Sequence, residues 1–415
     1  MTLQKTDYKE LKTCLAYGGN NLTKFLDFSN QPLANSFTKA PTKLKEYPLQ
    51  VNACKDCSHS QLSVAVDPEV LFSDYCYVSG TTQTLKVHFS HQAGYARNTW
   101  IEDRVDSYKA LTVLDIGSND GTALYEFKRM GFVVQGVDPA ANLKPLSEEK
   151  GVPVETAFWS YEFAKQWKRK FCVINACNVL AHQQNPEDFL LGVKEALYHD
   201  GIAFIQFPYM KNTLETNDFG QIYHEHCNYF TVKSFQALCN RVGLKIGDVR
   251  FFAAIHGGTI EFALKHPEAP WSGPNNLLSF LIKEENLDYS GYAEKIDYNL
   301  NKLADTIMEL DDSGYKVITY GAAAKSSTPL NSKFKAYTNF IRYVVDDSSS
   351  KVGRYCPGSN IPIYHPSELL TELKGQIALL LVTHNFKTEI LQRLRSMGIK
   401  GLLVNYVPEV SVEEI

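Results

Sequence analysis

The run Val113-Leu-Asp-Ile-Gly-Ser-Asn-Asp-Gly121, with Asp138 downstream, limits what this chain can fold into more than any other stretch. Leu111 to Ile116 reads as a short buried β-strand, an apolar run closed by turn residues. Gly117 to Gly121 breaks that strand, and Thr122 to Met130 has helical spacing. A second apolar run, Val133 to Val137, ends at Asp138. Together these make a strand, glycine loop, helix and strand ending in an acid. The glycines let the backbone approach a ligand closely, and an acid about 20 residues on can grip a ribose diol. Dinucleotides and S-adenosylmethionine (SAM) are the two ligand classes that suit such a unit. A pyrophosphate site has G-x-G-x-x-G leading into a helix N-terminus. Here the middle glycine is missing and Asp120 stands where the anion would sit, which favours a cationic ligand. An ordinary βα turn without a ligand is the plain alternative.

Composition sets the outer bounds. At 415 residues the chain has room for two or three domains. A net charge of −4 gives no sign of nucleic acid or a membrane surface as partner. No apolar run reaches transmembrane length, and the polar N-terminus lacks a signal-peptide core. Nine cysteines, several of them single within apolar segments (Cys172, Cys177, Cys239), fit buried thiols in a reducing cytoplasm. On oligomeric state the sequence is silent.

Residues 1–75 read as a small separate module. Cys54-Lys-Asp-Cys57 is a C-x-x-C knuckle that places two thiolates on one side of a tight turn, as tetrahedral zinc needs. Cys14 is a third ligand, but Tyr17 occupies the position of its C-x-x-C partner. His59 is a conceivable fourth ligand, although the Cys57-x-His59 spacing is tight. Three thiolates with an outside ligand, or no metal at all, both stay open. Next, Asp74-Tyr-Cys-Tyr-Val-Ser-Gly-Thr-Thr82 reads either as a lid that offers hydroxyls or as a polar linker, with a helix through Ala93 after it.

Strands and helices alternate from Ala110 to about Leu244, which predicts a parallel sheet with covering helices. Phe171–Cys177 reads as a strand ending in Asn178-Val-Leu-Ala-His182. Ligands in such sheets bind beyond the strand C-termini, so Asn178 and His182 share a crevice with Gly117 and Asp138. The densest polar and aromatic cluster is Gln221-Ile-Tyr-His-Glu-His-Cys-Asn-Tyr-Phe230. Tyr223, His224, Glu225 and His226 offer a proton acceptor, an orienting carboxylate and a phenol. The bland reading is a turn before a helix at Val232–Val242. A mostly helical connector, Leu277 to Ser313, leads to a second α/β unit. Its strand Lys316–Tyr320 opens into Gly321-Ala-Ala-Ala-Lys-Ser-Ser-Thr328, a weak phosphate cradle that carries Lys325. The strand Ile341–Val345 ends in Asp346-Asp347, ahead of Lys351, Arg354 and Cys356-Pro-Gly358. These loops suit a nucleotide diphosphate, or are simply solvated.

The spacing Asp115-x-Gly117-x-x-x-Gly121 is similar to the glycine motif of class I SAM-dependent methyltransferases. From Cys14 to Pro408 the chain resembles one family, the sugar C-methyltransferases that act on nucleotide-linked 4-keto-deoxyhexoses. Tyr75-Cys-Tyr-Val-Ser-Gly80, Asn178 to His182, Tyr223-His-Glu-His226 and His256-Gly-Gly258 look like that family's motifs, in its order. So do Thr319-Tyr-Gly-Ala-Ala-Ala-Lys325 and Asp346 to Gly358. The resemblance implies an α/β protein in three parts. These are a zinc-binding-type module at 1–75, a class I methyltransferase domain with a Rossmann-like fold at 76–250, and a Rossmann-like domain at 251–415 for the sugar nucleotide. It implies carbon methylation beside a ketone, at C3, with His226 as base oriented by Glu225, and Tyr223, Tyr77 and His182 as donors to sugar oxygens. Gly117, Asn119, Gly121, Asp138, Phe158 and Asn178 line the SAM site on that template. Lys351 and Arg354 meet the diphosphate, and Lys325 and His256 lie on the substrate side. Methylation of a sugar oxygen, or binding without catalysis, are the rival readings.

Overall fold

The structure, a computed structural model, describes residues 7–72, 78–81, 83–101, 110–372 and 376–415. The N-terminal part opens with β1 (Tyr8–Glu10), followed by β2 (Leu22–Pro32), β3 (Glu46–Cys54), β4 (Ser60–Leu62) and β5 (Val64–Val66). β1 pairs antiparallel with β5, while β2, β3 and β4 form an antiparallel sheet. That sheet takes its fourth strand from far along the chain: Asn228 pairs with Gln61 and Tyr229 with Ser60. The module is therefore stitched to the segment that directly follows the Tyr223–His226 cluster.

After α1 (Pro68–Phe72) and α2 (Gln83–Tyr95) comes the alternation expected from sequence. It runs β6 (Thr112–Ile116), α3 (Thr122–Arg129), β7 (Val133–Val137), α4 (Lys144–Glu149), β8 (Val154–Glu155), α5 (Tyr161–Gln166) and β9 (Phe171–Cys177). It continues with α6 (Pro186–Ala196), β10 (Leu197–Pro208), α7 (Met210–Thr216), β11 (Asn228–Tyr229) and α8 (Val232–Val242). All five residues of β6 are buried, as a strand covered on both faces requires. α8 is held at both ends, by a Thr231–Ser234 capping box and by Gly243 at φ 71. Two more strands, β12 (Lys245–Phe252) and β13 (Thr259–Lys265), complete a seven-stranded sheet of order β12-β13-β10-β9-β6-β7-β8. β13 runs antiparallel to β10, and the other central pairs are parallel. The first sheet thus runs on past residue 250 to Lys265.

α9 (Leu277–Lys283) and α10 (Tyr289–Asp312) form the connector. The second α/β unit follows: β14 (Lys316–Tyr320), α11 (Ala324–Asn331), β15 (Ile341–Val345), β16 (Ile363–Tyr364), β17 (Ile377–Leu381), α12 (Lys387–Ser396), β18 (Leu402–Asn405) and β19 (Ser411–Glu414). Its sheet order is β16-β15-β14-β17-β18-β19, parallel except for the last pair. One apolar cluster ties the parts together. It joins Leu49 and Val51 of β3, Phe219 and Ile222 ahead of the polar cluster, Ile296 and Leu303 of α10, and Val317 and Val344 of the second sheet. Burial of that size fixes the loops at the strand ends relative to one another. Among the described residues no helix is long and apolar enough to cross a membrane.

Candidate active site

The glycine loop leaves β6 in the conformation that its residues demand. Gly117 and Gly121 sit at φ 70 and 74, where an L side chain is strained. A Cβ at Gly117 would collide with Val179, and one at Gly136 on β7 with Ser118. Asp138 ends β7. Its Oδ2 accepts from Asn119 N (2.8 Å) and its Oδ1 from Ala140 N (2.8 Å), so the carboxylate is aimed across the loop. Burial pushes the Asp138 carboxyl up, against those two amides. At the root of the loop, burial raises Asp115 to about 8, with Asn175 Nδ2 donating to it at 2.9 Å. Asp120 differs from the sequence expectation. It is 3% exposed and its Oδ2 lies 2.8 Å from Lys150 Nζ, so its charge is compensated and is no free attractor for a cation. Ser79 and Gly80 close over the loop, with Ser79 N donating to Asn119 Oδ1 at 2.9 Å. Asn178, at φ 58, has a buried Oδ1 with no hydrogen-bond partner among the described residues. An unsatisfied acceptor beside a glycine loop suits a ligand that brings a donor, as SAM does with its ammonium. Phe158 lies just past β8 and is 45% exposed.

The Tyr223–His226 cluster lies on the same edge. His182 and His226 have ring centroids 4.7 Å apart. His226 Nδ1 is 2.8 Å from Gln221 O, and a carbonyl only accepts, so Nδ1 carries the proton. The lone pair is then on Nε2, 3.0 Å from the Tyr223 hydroxyl. His182 Nδ1 likewise donates to Glu225 O at 2.9 Å. Burial, followed by the neighbouring His182, holds His226 well below the usual imidazole range, and burial takes His182 down to about 4. Both rings are neutral at pH 7. The ring of His226 is held by the Gln221 carbonyl where the sequence reading expected Glu225. The carboxylate of Glu225 instead receives Asn35 Nδ2 at 2.6 Å. Tyr77 lies outside the described residues.

Hydrogen bonds lead from this base into the second α/β unit. Gln221 Nε2 donates to His256 O (2.8 Å), which also accepts from Lys325 Nζ (3.2 Å). Lys325 Nζ and His384 Nε2 lie 3.7 and 3.2 Å from Asp218 Oδ2. Burial alone would raise Asp218, but the Lys325 charge and the His384 contact hold it well below the carboxylate range. Lys351 Nζ is 3.8 Å from Asp346 Oδ2, and Arg354 has no ion-pair partner among the described residues. Lys325, in the first turn of α11, and Lys351 and Arg354, in the loop after β15, thus lie beyond the carboxyl ends of β14 and β15, where α/β sheets bind ligands.

In the N-terminal module the thiols of Cys14, Cys54 and Cys57 lie within 4.8 Å of one another. Cys14 Sγ and Cys57 Sγ are 3.6 Å apart. Tetrahedral zinc with bonds near 2.3 Å sets sulfurs about 3.8 Å apart, so the donor set fits zinc. The Cys57 hydrogen bond draws Cys14 down to about 6, while the same contact pushes Cys57 up. A divalent cation would relieve that conflict. His59 is no fourth ligand. It is fully buried, with Nε2 3.2 Å from Asn228 Oδ1, and stands outside the thiol cluster. Tyr17 is 50% exposed, and its backbone N–H points at Cys14 Sγ.

Known families match along almost the whole chain. Residues 14–72 match the family described as "Putative zinc binding domain", 91–248 "Methyltransferase domain", and 254–408 "C-methyltransferase C-terminal domain". C-methyltransferase NovU of Streptomyces niveus is 26% identical over 396 residues, covering 92% of each chain. This chain belongs to that three-part C-methyltransferase family. It is a SAM-dependent methyltransferase. A tRNA U34 carboxymethyltransferase of Campylobacter jejuni is 28% identical over 192 residues, 43% of this chain and 63% of the relative. The magnesium protoporphyrin IX methyltransferase of Synechocystis PCC 6803 with bound SAM is 12% identical. It covers 46% of this chain and 86% of that one at a TM-score of 0.34, an overlay that carries no argument.

Several residues of this C-methyltransferase that shape the site were not singled out from sequence: Gln221, Asn35, Asp218, His384 and Lys150. Each acts through a partner remote in the chain or through its backbone carbonyl, and neither leaves a local pattern. Two expectations follow from the sites above. Asp138→Ala should weaken SAM binding by about 1–3 kcal/mol, the cost of losing a charge-assisted hydrogen bond. Calorimetry that returns wild-type affinity would remove Asp138 from the cofactor site. Protein purified without chelator should carry about one zinc per chain, and Cys57→Ser should lose the metal and melt earlier. Well-folded protein with only trace zinc would mean that the three thiols hold none.

Proposed function

We propose that this C-methyltransferase methylates the carbon beside a ketone, C3 of a nucleotide-diphosphate-linked 4-keto-6-deoxy sugar, with His226 as the base. A proton on that carbon leaves only if a base takes it while donors stabilise the enolate oxygen. The observation that carries the reading is the tautomer of His226. Its Nδ1–H is spent on Gln221 O, and a neutral, buried Nε2 faces the Tyr223 phenol. SAM supplies an electrophilic methyl group. Tyr223 and Tyr77 are the proposed donors to sugar oxygens; His182, with its one N–H on Glu225 O, offers only an acceptor at Nε2. Gly117, Asn119, Gly121, Asp138, Phe158 and Asn178 are the proposed cofactor contacts. The second α/β unit takes the nucleotide half, with Lys351 and Arg354 on the diphosphate, and Lys325 with His256 from the β12–β13 loop toward the sugar. The NovU likeness supports a small-molecule acceptor.

A panel of 4-keto sugar nucleotides, turned over with SAM and analysed by NMR, tests this. The new methyl should sit on the carbon beside the ketone, and K351A/R354A should raise KM for that acceptor at least about tenfold with SAM affinity unchanged. A methyl on oxygen would overturn the reading.

A further inference from the structure

Glu225 is 3% exposed, and a buried carboxylate needs donors. One donor comes from 190 positions away, the Asn35 amide. Asn35 belongs to the strap that joins β2 to β3, and this strap is fastened across the candidate site. At the end of β2 that leads into it Gln31 Nε2 reaches Thr328 O at 3.4 Å, and within it Thr42 N donates to Asn360 Oδ1 at 3.0 Å. Thr38 forms an antiparallel bridge with Tyr355, and Phe37 has Lys351 Nζ 5.5 Å from its ring centroid. At the far end His224 Nε2 donates to Tyr47 O at 3.1 Å. The strap therefore touches both the reacting cluster and the loop proposed for the diphosphate.

From this geometry we infer that Asn35 is a positioning residue for methyl transfer: its amide sets the direction of the Glu225 carboxylate, so the N-terminal module completes the active site. The inference rests on the reading of Tyr223–His226 as the reacting cluster. A neutral amide suits the task, because it fixes the carboxylate by a hydrogen bond without forming an ion pair with it. The strap adds no ionisable side chain between Leu33 and Thr38. Among the described residues, His182 donates to the Glu225 backbone, and Tyr223, His224 and His226 are its titratable neighbours in the chain. Burial lowers all three imidazoles, so none of them titrates near pH 7.

Two substitutions, made in the full chain, test the inference. Asn35→Leu should cut kcat about 10–100-fold while KM and SAM affinity stay within about threefold, since orientation counts most in the transition state. Asn35→Asp sets a second carboxyl against the first, and two such groups share a proton until the pH rises. Its kcat/KM should fall from pH 6 to 8 where the wild type does not, and its melting temperature should fall with it. Adding Glu225→Gln should abolish that pH-dependent melting, a coupling read without any turnover. Wild-type kcat in Asn35→Leu, or a melting curve of Asn35→Asp that tracks the wild type at every pH, would overturn the inference. Methyl transfer by the wild type to oxygen would sink the ketone reading alone. The same variants would still decide the role of Asn35 on that acceptor.

Discussion

His226→Asn should lose about 10²–10⁴ in turnover, the range that follows removal of a general base. The asparagine amide can still donate to Gln221 O, as Nδ1–H does at 2.8 Å, so the turn before β11 keeps its hydrogen bond. What disappears is the basic Nε2 facing Tyr223. SAM affinity should not move. A second readout isolates proton removal from methyl transfer. In heavy water, with S-adenosylhomocysteine in place of SAM, the wild type should exchange the proton beside the ketone, and His226→Asn should not. Near-normal turnover by this variant would take His226 out of the mechanism. Exchange that survives the substitution would assign proton removal to another group.

Much of the scaffold was legible in the sequence for one physical reason. Parallel strands covered on both faces are unbroken apolar runs, and turn residues end them sharply. Val133–Val137, Phe171–Cys177, Lys316–Tyr320 and Ile341–Val345 are strands over the ranges read from sequence, and Val232–Val242 is a helix over its range. Pairing across the fold was not legible. Asp120 looked like a free anion because Lys150, 30 residues on, leaves no mark on the loop motif. His59 looked like a ligand for want of Asn228, and Glu225 looked like the partner of His226 because the true partner is a backbone carbonyl. A carbonyl belongs to every residue and so cannot be read from residue type. The joining of the N-terminal sheet by Asn228–Tyr229 was hidden for a similar reason, since two residues are too few to show alternation.

The same burial that keeps these rings neutral should make the fold acid-sensitive. Burial takes His182, His224 and His256 each down to about 4 and holds His226 well below the usual imidazole range. Unfolded, each titrates near 6.5. Between those values the unfolded chain binds protons that the folded chain refuses. The stability these groups contribute is therefore complete above pH 6.5 and is lost as pH falls toward 4. His224 and His226 are 2% and 5% exposed and should count in full. His182 and His256 are partly open to solvent, and each counts for about half. Asp115, raised to about 8, works the other way, because folded protein holds its proton while unfolded protein releases it above 3.8. The net is about two protons. At about 1.4 kcal/mol per proton per pH unit, that is a loss of about 4 kcal/mol between pH 6.5 and 5, a large part of the 5–15 kcal/mol typical of a folded domain. Denaturant unfolding across that range measures it directly. His224→Gln keeps a donor for Tyr47 O and removes one titrating ring, so its curve should be flatter by about one proton. Stability that stays level from pH 6.5 to 5 in the wild type would mean that these imidazoles are solvated, and would also remove the case for His226 as a neutral, desolvated base.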